Sequence, residues 1–265
     1  MVYSWPVVST ESPKLAGKVA LVTGGGRGIG KAIAIALADK GMKVGVCGRT
    51  ESQVTEVATE IKGDAFVVDL ASRENTDTFL NEVEKRLGTV DVLVNNAGIA
   101  ASAPYQKVLD ADWDRMMEVN CVSAFRLARS LVPKMVKKGW GRVVNIASNA
   151  GVSGYGYTSA YCASKHAMVG FTRALAVELA GAGVTVNAVC PGWVETQMAQ
   201  EAAARIASKS GRTVADAQKT LEAMSPQGRM IQASEVAHWT VSLCMEEGRG
   251  VHGQTIVIDG GQILK

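Results

Sequence analysis

TGGGRGIGKA, residues 23–32, decides how the chain is read. Counted from Gly25 it matches G-x-x-x-x-G-K, a loop that cradles nucleoside triphosphates. Counted from Gly24 it reads T-G-x-x-x-G-x-G, a looser relative of the turn that holds a dinucleotide. Both place phosphate at a helix N-terminus, where backbone N–H groups and the helix dipole favour an anion. The triphosphate reading also needs a hydroxyl directly after the lysine to hold Mg²⁺, and that position is Ala32. No acidic residue at a strand end is flanked as a Mg²⁺ partner should be. The dinucleotide reading is therefore preferred. Gly24 makes the tight turn, Gly28 lets pyrophosphate approach, and Gly30 lets helix and strand pack closely. Such turns also arise for packing reasons alone, so the rest of the chain has to carry the argument.

Working outward, short apolar runs alternate with longer helical stretches. The runs are KVALVT (18–23), KVGVCG (43–48), AFVVD (65–69), VDVLVN (90–95), RVVNIA (142–147), VTVNAVC (184–190) and QTIVID (254–259). Most are apolar on both faces, which suits central strands covered by helices on each side. Helices are predicted near 28–40, 51–62, 73–87, 111–138, 159–180 and 234–246. This alternation predicts an α/β fold, a doubly wound parallel sheet with helices on both faces. The segment 193–230 is long for a connection and is predicted to act as a lid with an Ala-rich helix in its middle. Residues 1–14 are read as a mobile arm, ordered by a partner subunit, and 15–265 as a single domain.

Composition excludes several classes. The net charge is +3 without long basic runs, which argues against nucleic acid. Five cysteines without a C-x-x-C pair favour reduced thiols and a cytoplasmic protein. The three histidines form no metal-ligand pattern, so no metal is expected. No apolar run reaches membrane-spanning length.

YCASK places Tyr161 and Lys165 four residues apart, on one face of a helix. A free phenol, with a pKa of about 10, holds its proton too tightly for easy exchange at neutral pH. A nearby ammonium is expected to lower that value. Tyr161 can then give a proton to a carbonyl oxygen or take one from an alcohol. Ser148 ends the run before this helix, and its hydroxyl can bond the same oxygen. Each residue alone has a plainer reading: a helix surface pair, a loop serine. Tyr155 and Tyr157 are rivals for the acid role, but neither has a lysine four residues on. They are expected to border the substrate. His166 lies on a different face from Lys165.

Taken in order, TGGGRGIG (23–30), Asp69, NNAG (95–98), Asn120, Ser148 with YCASK (161–165), and PGWVET (191–196) resemble the short-chain dehydrogenase/reductase family from Lys14 to the C-terminus. The resemblance implies a Rossmann-type fold. It implies Tyr161 as acid/base, Ser148 as substrate polariser, Lys165 as the group that lowers the tyrosine pKa and binds the nicotinamide ribose, and Asn120 as holder of a relay water. It implies a cofactor wall of Gly24, Arg27, Gly28, Ile29 and Gly30, with Asp69 and Leu70 at the adenine. Asn96, Ala97 and Gly98 would follow along the adenosine side. Pro191, Gly192, Val194 and Thr196 would lie by the nicotinamide, with Thr196 bonding its carboxamide. Homotetramers through the two long helices are a further implication.

NAD-using relatives carry an acidic residue at the end of the second strand. Here Gly48 stands there, followed by Arg49, with Arg27 in the glycine loop. Guanidinium groups suit a 2′-phosphate, so NADP(H) is expected. VNAVCPGWVETQMA and SPQGRMIQASEVA resemble the β-ketoacyl and polyketide ketoreductases of the family. IAASAP (99–104) departs from the Pro–Gly-rich stretch of the polyketide enzymes. The expected substrate is a small carbonyl compound or the matching alcohol, in a pocket walled by Trp193, Met198, Met224 and Met230. Arg205, Lys209, Arg212 and Lys219 form either a solvated helix face or a patch for a carrier-bound acyl chain. An alcohol dehydrogenase working oxidatively and a non-catalytic NADP(H) sensor remain as alternatives.

Overall fold

Alternate residues of each central strand face opposite layers. Along β1 (Val19–Thr23), Ala20 and Val22 enter one core and Leu21 the other. The period of two persists farther along the sheet: Val92 and Val94 point one way, Leu93 the other. Strands buried on both faces need helices on both faces, and the chain supplies them. A computed structural model describes residues 15–264; the arm expected over 1–14 lies outside them.

In chain order, β1 is followed by α1 (Gly28–Ala38), β2 (Lys43–Gly48), α2 (Glu51–Glu60), β3 (Asp64–Val67), α3 (Arg73–Leu87) and β4 (Val92–Asn95). Then come α4 (Asp110–Met117), α5 (Ser123–Lys138), β5 (Gly141–Ile146), α6 (Ser159–Glu178) and β6 (Val184–Pro191). The chain closes with α7 (Gln197–Ser210), α8 (Val214–Glu222), α9 (Ala233–Cys244) and β7 (Thr255–Ile258). The seven-stranded sheet has the order β3-β2-β1-β4-β5-β6-β7, and every pairing is parallel. Ile33 and Leu37 of α1, Val54 and Val57 of α2, and Val236 and Val241 of α9 fill one core. Phe79 and Val83 of α3, Leu127 and Leu131 of α5, and Ala176 of α6 fill the other.

The chain runs outward from β1 to β3, then returns to place β4 against β1's other edge. At that reversal the connections leaving β1 and β4 diverge to opposite faces, and a crevice opens at their carboxyl ends.

Two predicted elements differ from the structure. The helix expected over 111–138 is interrupted by a π-helical turn, Glu118–Val122, between α4 and α5. One extra residue per turn there swings Asn120 inward, where it is clamped by residues far away in sequence. The segment 193–230 holds two helices, α7 and α8, rather than one. Gly211 ends α7 in the left-handed conformation (φ 70°), and Thr213 starts α8 by accepting the Asp216 N–H at 3.1 Å.

Candidate functional site

A cleft of about 730 Å³ lies at the carboxyl ends of the strands. Its lining includes Gly24 after β1, Gly48 and Arg49 at the end of β2, Asp69 and Leu70 after β3, Asn96–Ser102 after β4, Ile146–Ala150 after β5, and Pro191–Gly192 where β6 ends. The catalytic and cofactor candidates read from the sequence thus reach one cavity, apart from Asn120 and Gly30, which support its walls.

The glycine turn is held by its own geometry. Gly24 and Gly28 have φ of 62° and 54°, which side chains rarely tolerate. A Cβ on Gly30 would sit 2.2 Å from the Gly24 carbonyl oxygen and 2.5 Å from Asn96 Nδ2. Asn96 Nδ2 in turn donates to the carbonyls of Thr23 (2.9 Å) and Gly24 (3.1 Å). The Thr23 hydroxyl accepts the N–H groups of Asn96 and Ala97, both at 2.9 Å. The loops after β1 and β4 are therefore one unit, with α1 starting at Gly28 beside the cleft. That cradle presents bare backbone at the start of α1, which suits a pyrophosphate, and a Cβ on Gly30 would collide with the turn itself.

Gly48 carries no carboxylate, and Arg49 beside it is exposed in the cleft wall without an ion-pair partner among the described residues. Asp69 Oδ1 accepts the Ala71 N–H at 3.0 Å, so its carboxylate shapes a turn next to the buried Leu70. Arg27 turns toward the lid, donating to Gln197 Oε1 at 2.7 Å with Glu201 at 3.7 Å. Ile29, Ala97 and Gly98 line the cleft.

The reacting end is built by β5 and α6. Ser148 follows β5, where its Oγ accepts the Ala150 N–H at 3.1 Å, and it lines the cleft with Tyr161. Tyr161 and Lys165 lie a turn apart on α6, as their spacing predicted. Lys165 is buried, donates to the Ile146 carbonyl at 2.9 Å, and lies 5.9 Å from the Tyr161 ring centroid. Burial pushes its ammonium down to about 8. The Tyr161 phenol is pushed up, mainly by burial, with the neighbouring Ser148 hydroxyl pulling the other way. This corrects the expected lowering by Lys165. The lysine's bond is spent on the Ile146 carbonyl, and desolvation dominates at the phenol.

Asn120 is fully engaged. Its Oδ1 accepts the Ile99 N–H at 2.8 Å, and its Nδ2 donates to the Ile99 carbonyl and Ser164 Oγ, both at 2.9 Å. A Cβ on Gly98 would lie 3.3 Å from Asn120 Oδ1 and 3.5 Å from Lys165 Nζ, so the absent side chain keeps these groups close.

Sequence reasoning passed over Asn95, Asn145 and Thr172. Asn95 Nδ2 donates to Asn145 Oδ1 at 2.8 Å, and Asn145 Nδ2 donates to Thr172 Oγ1 at 2.8 Å. This buried chain ties β4 to β5 and then to α6, fixing the helix that carries Tyr161. The signal was an Asn at matching positions of two apolar runs, VLVNN and RVVNI.

On the substrate side, Trp193, Met198 and Met224 line the cleft. Met230 does not: it is buried in the lid's own core with Ala203, Ala207 and Leu221. Val194 and Thr196 both line the cleft, Val194 with its backbone bridging to Ile231 and Thr196 at the N-cap of α7 beside Gly28. Of the four lid cations, Arg205 and Lys209 reach the cleft wall and Arg212 and Lys219 do not. Tyr155 lines the cleft with its hydroxyl buried and without a hydrogen-bond partner among the described residues; Tyr157 is exposed. His166 is exposed, its Nδ1 2.9 Å from the Cys162 carbonyl oxygen. No cluster of metal-ligating side chains occurs among the described residues.

The family model described as short chain dehydrogenase matches residues 18–207. The chain belongs to this family. It is an oxidoreductase with the family's Rossmann-type fold. The chain is similar to the D-beta-hydroxybutyrate dehydrogenase of Cupriavidus necator, at 36% identity over 95% of this chain and 100% of the relative. It is similar to the 3-oxoacyl-[acyl-carrier-protein] reductase FabG of Escherichia coli, at 34% identity over 94% of this chain and 98% of the relative. Among solved structures, an actinorhodin polyketide ketoreductase variant with NADPH superposes with a TM-score of 0.90, at 38% identity, covering 93% of this chain and 97% of that one. Among the described residues, no helix is long and apolar enough to cross a membrane.

Proposed function

We propose that this short-chain dehydrogenase/reductase is an NADPH-dependent ketoreductase, converting a ketone or β-keto compound to a secondary alcohol. The observation that carries the reading is the convergence of Ser148, Tyr161 and Lys165, the last two one turn apart on α6, in the cleft the glycine turn opens. NADPH supplies the hydride.

The chain's own groups do the rest. Ser148 Oγ bonds the carbonyl oxygen and draws charge onto it. Tyr161 Oη donates the proton that completes the alcohol. The raised phenol stays protonated over the neutral range, ready to donate. Lys165 Nζ binds the nicotinamide ribose. Asn120, held at three bonds, keeps the Ile99 backbone and the π-helical turn in place beside Lys165, and positions a relay water. Gly24, Gly28 and Gly30 with the start of α1 hold the pyrophosphate. Arg49 and Arg27 meet the 2′-phosphate, a proposal supported by Gly48 at the place of the acidic residue. Asp69, Leu70, Asn96 and Gly98 wall the adenosine. Pro191, Gly192 and Thr196 frame the nicotinamide. The lid, 193–230, closes over the substrate with Trp193 and Met198.

The similarity to a hydroxybutyrate dehydrogenase favours a second reading, alcohol oxidation with the same residues. We further propose one catalytic domain in a cytoplasmic homotetramer; exposed Phe125, Val136 and Val177 on α5 and α6 support an interface there. NADPH consumption with a panel of ketones, β-ketoesters and their thioesters, set against NADP⁺ reduction with the matching alcohols, tests the function. Reduction of a β-keto compound is expected to dominate. Turnover of neither panel would overturn the reading.

A further inference from the structure

Arg27 stands where the glycine turn meets the lid, and its guanidinium is engaged by the lid. Nη1 donates to Gln197 Oε1 at 2.7 Å and faces Glu201 Oε1 at 3.7 Å. Gln197 and Glu201 are four residues apart on α7, so they present one face to the turn. The seam between the two elements is close: a Cβ on Gly28 would lie 3.2 Å from the Thr196 methyl carbon. Arg49, the other cation of this wall, has no such acceptor among the described residues.

A guanidinium has a limited set of N–H donors in a fixed plane. A phosphate dianion, when bound beside Arg27, draws that plane toward itself with short charge-assisted bonds. Gln197 and Glu201 offer the same donors an amide oxygen and a carboxylate. Resting on the reading of Arg27 as a 2′-phosphate ligand, we infer that Glu201 and Gln197 are cofactor-specificity residues, which compete with the 2′-phosphate for Arg27 and so restrain the preference for NADPH over NADH. The same competition couples the cofactor to the lid. Phosphate capture of Arg27 removes a tie on the first turn of α7, whereas NADH leaves that tie intact.

Both side chains of the ion pair are about half exposed, so the expected effect is modest. The test is equilibrium binding of NADPH and NADH, read by nicotinamide fluorescence, to four proteins: natural, Glu201→Gln, Arg27→Ala, and the double variant. Glu201→Gln should lower the Kd for NADPH roughly threefold and leave that for NADH unchanged. In the Arg27→Ala background the same substitution should do nothing. A tightening that persists without Arg27 is a general effect of lost negative charge and overturns the competition. So does a Glu201→Gln protein with both Kd values unchanged. If Arg27→Ala leaves the ratio of the two affinities intact, the phosphate reading of Arg27 fails as well, a distinct result. Hydrogen exchange supplies a readout free of turnover. Backbone amides at 197–203 should exchange faster in the NADPH complex than in the NADH complex, and equal or slower exchange contradicts release of the tie.

Discussion

The floor of the cleft and its lid are built by different rules. The floor, from β5 to α6, is cross-linked by buried polar groups: Asn95 to Asn145 to Thr172, Lys165 to Ile146, and Asn120 to Ile99 and Ser164. The lid rests on a small cluster of its own, largely alanine, with Leu221, Met230 and Trp193. Its two stems are closed by the Val194–Ile231 bridge and the Gln232–Glu195 hydrogen bond at 2.6 Å, and Arg27 ties α7 to the glycine turn. Chemistry needs a serine, a tyrosine and a lysine held in fixed relation, so they sit where two strands and a helix are locked together. Selection of substrate tolerates variation, so it sits on an element that can be rebuilt without disturbing the sheet.

Substitutions in the two regions should behave differently. Ser148→Ala should raise the barrier to reduction by about 3 to 4 kcal/mol, a loss of two to three orders of magnitude in kcat. Its melting temperature should stay close to that of the natural protein, because the hydroxyl is a small part of the floor. Leu21→Ala, in the centre of β1, should cost about 2 to 5 kcal/mol in denaturant unfolding. Leu221→Ala removes the same atoms from the lid and should cost visibly less, since the lid can open while the sheet stays folded. Equal losses would mean that lid and sheet unfold as one. Asn145→Ala breaks the amide chain and leaves the Asn95 amide without its partner, while Thr172 keeps its bond to the Met168 carbonyl, for a loss of about 2 kcal/mol. Activity should fall with it, as α6 loosens.

The smallest effect has the opposite sign. Lys165 has a folded-state pKa of about 8, below its ordinary value of 10.5. Below pH 8 the lysine is charged in both states, and burying that charge costs stability in full. Between about 8 and 10.5 the unfolded chain holds the proton that the folded protein has released, so stability rises with pH across that window. The difference corresponds to roughly 3 kcal/mol, and losing the bond to Ile146 offsets about 1. Lys165→Met should therefore be more stable than the natural protein at pH 7, by about 1 to 2 kcal/mol, with the advantage shrinking toward pH 10. Chemical denaturation at the two pH values measures it. A less stable variant at pH 7 would show that the lysine strengthens the floor rather than straining it.

Much of this was legible from residue types at short range. Apolar runs gave the strands, since a strand buried on both faces has no polar face to hide. The glycines of the turn and the Tyr161–Lys165 spacing were equally plain, being set within a few residues. What escaped depends on partners remote in sequence. The interruption at Glu118–Val122 is fixed by Asn120 bonding Ile99, and no periodicity within the helix encodes that. Arg27's engagement with Gln197 spans 170 positions. Met230 reads like a pocket residue and instead fills the lid core, because side-chain direction is set by how α7 and α8 pack. The Tyr161 phenol was expected to be lowered by its lysine and is raised by burial, a quantity that spacing on a helix does not carry.

The central claim is that the Tyr161 hydroxyl moves the proton and does little else. Tyr161→Phe keeps the ring and removes one oxygen. It should bind NADPH with nearly natural affinity, by fluorescence titration, while its single-turnover rate with the best β-keto substrate falls by about a hundredfold or more. A variant that binds NADPH and reduces the substrate at the natural rate would contradict the account.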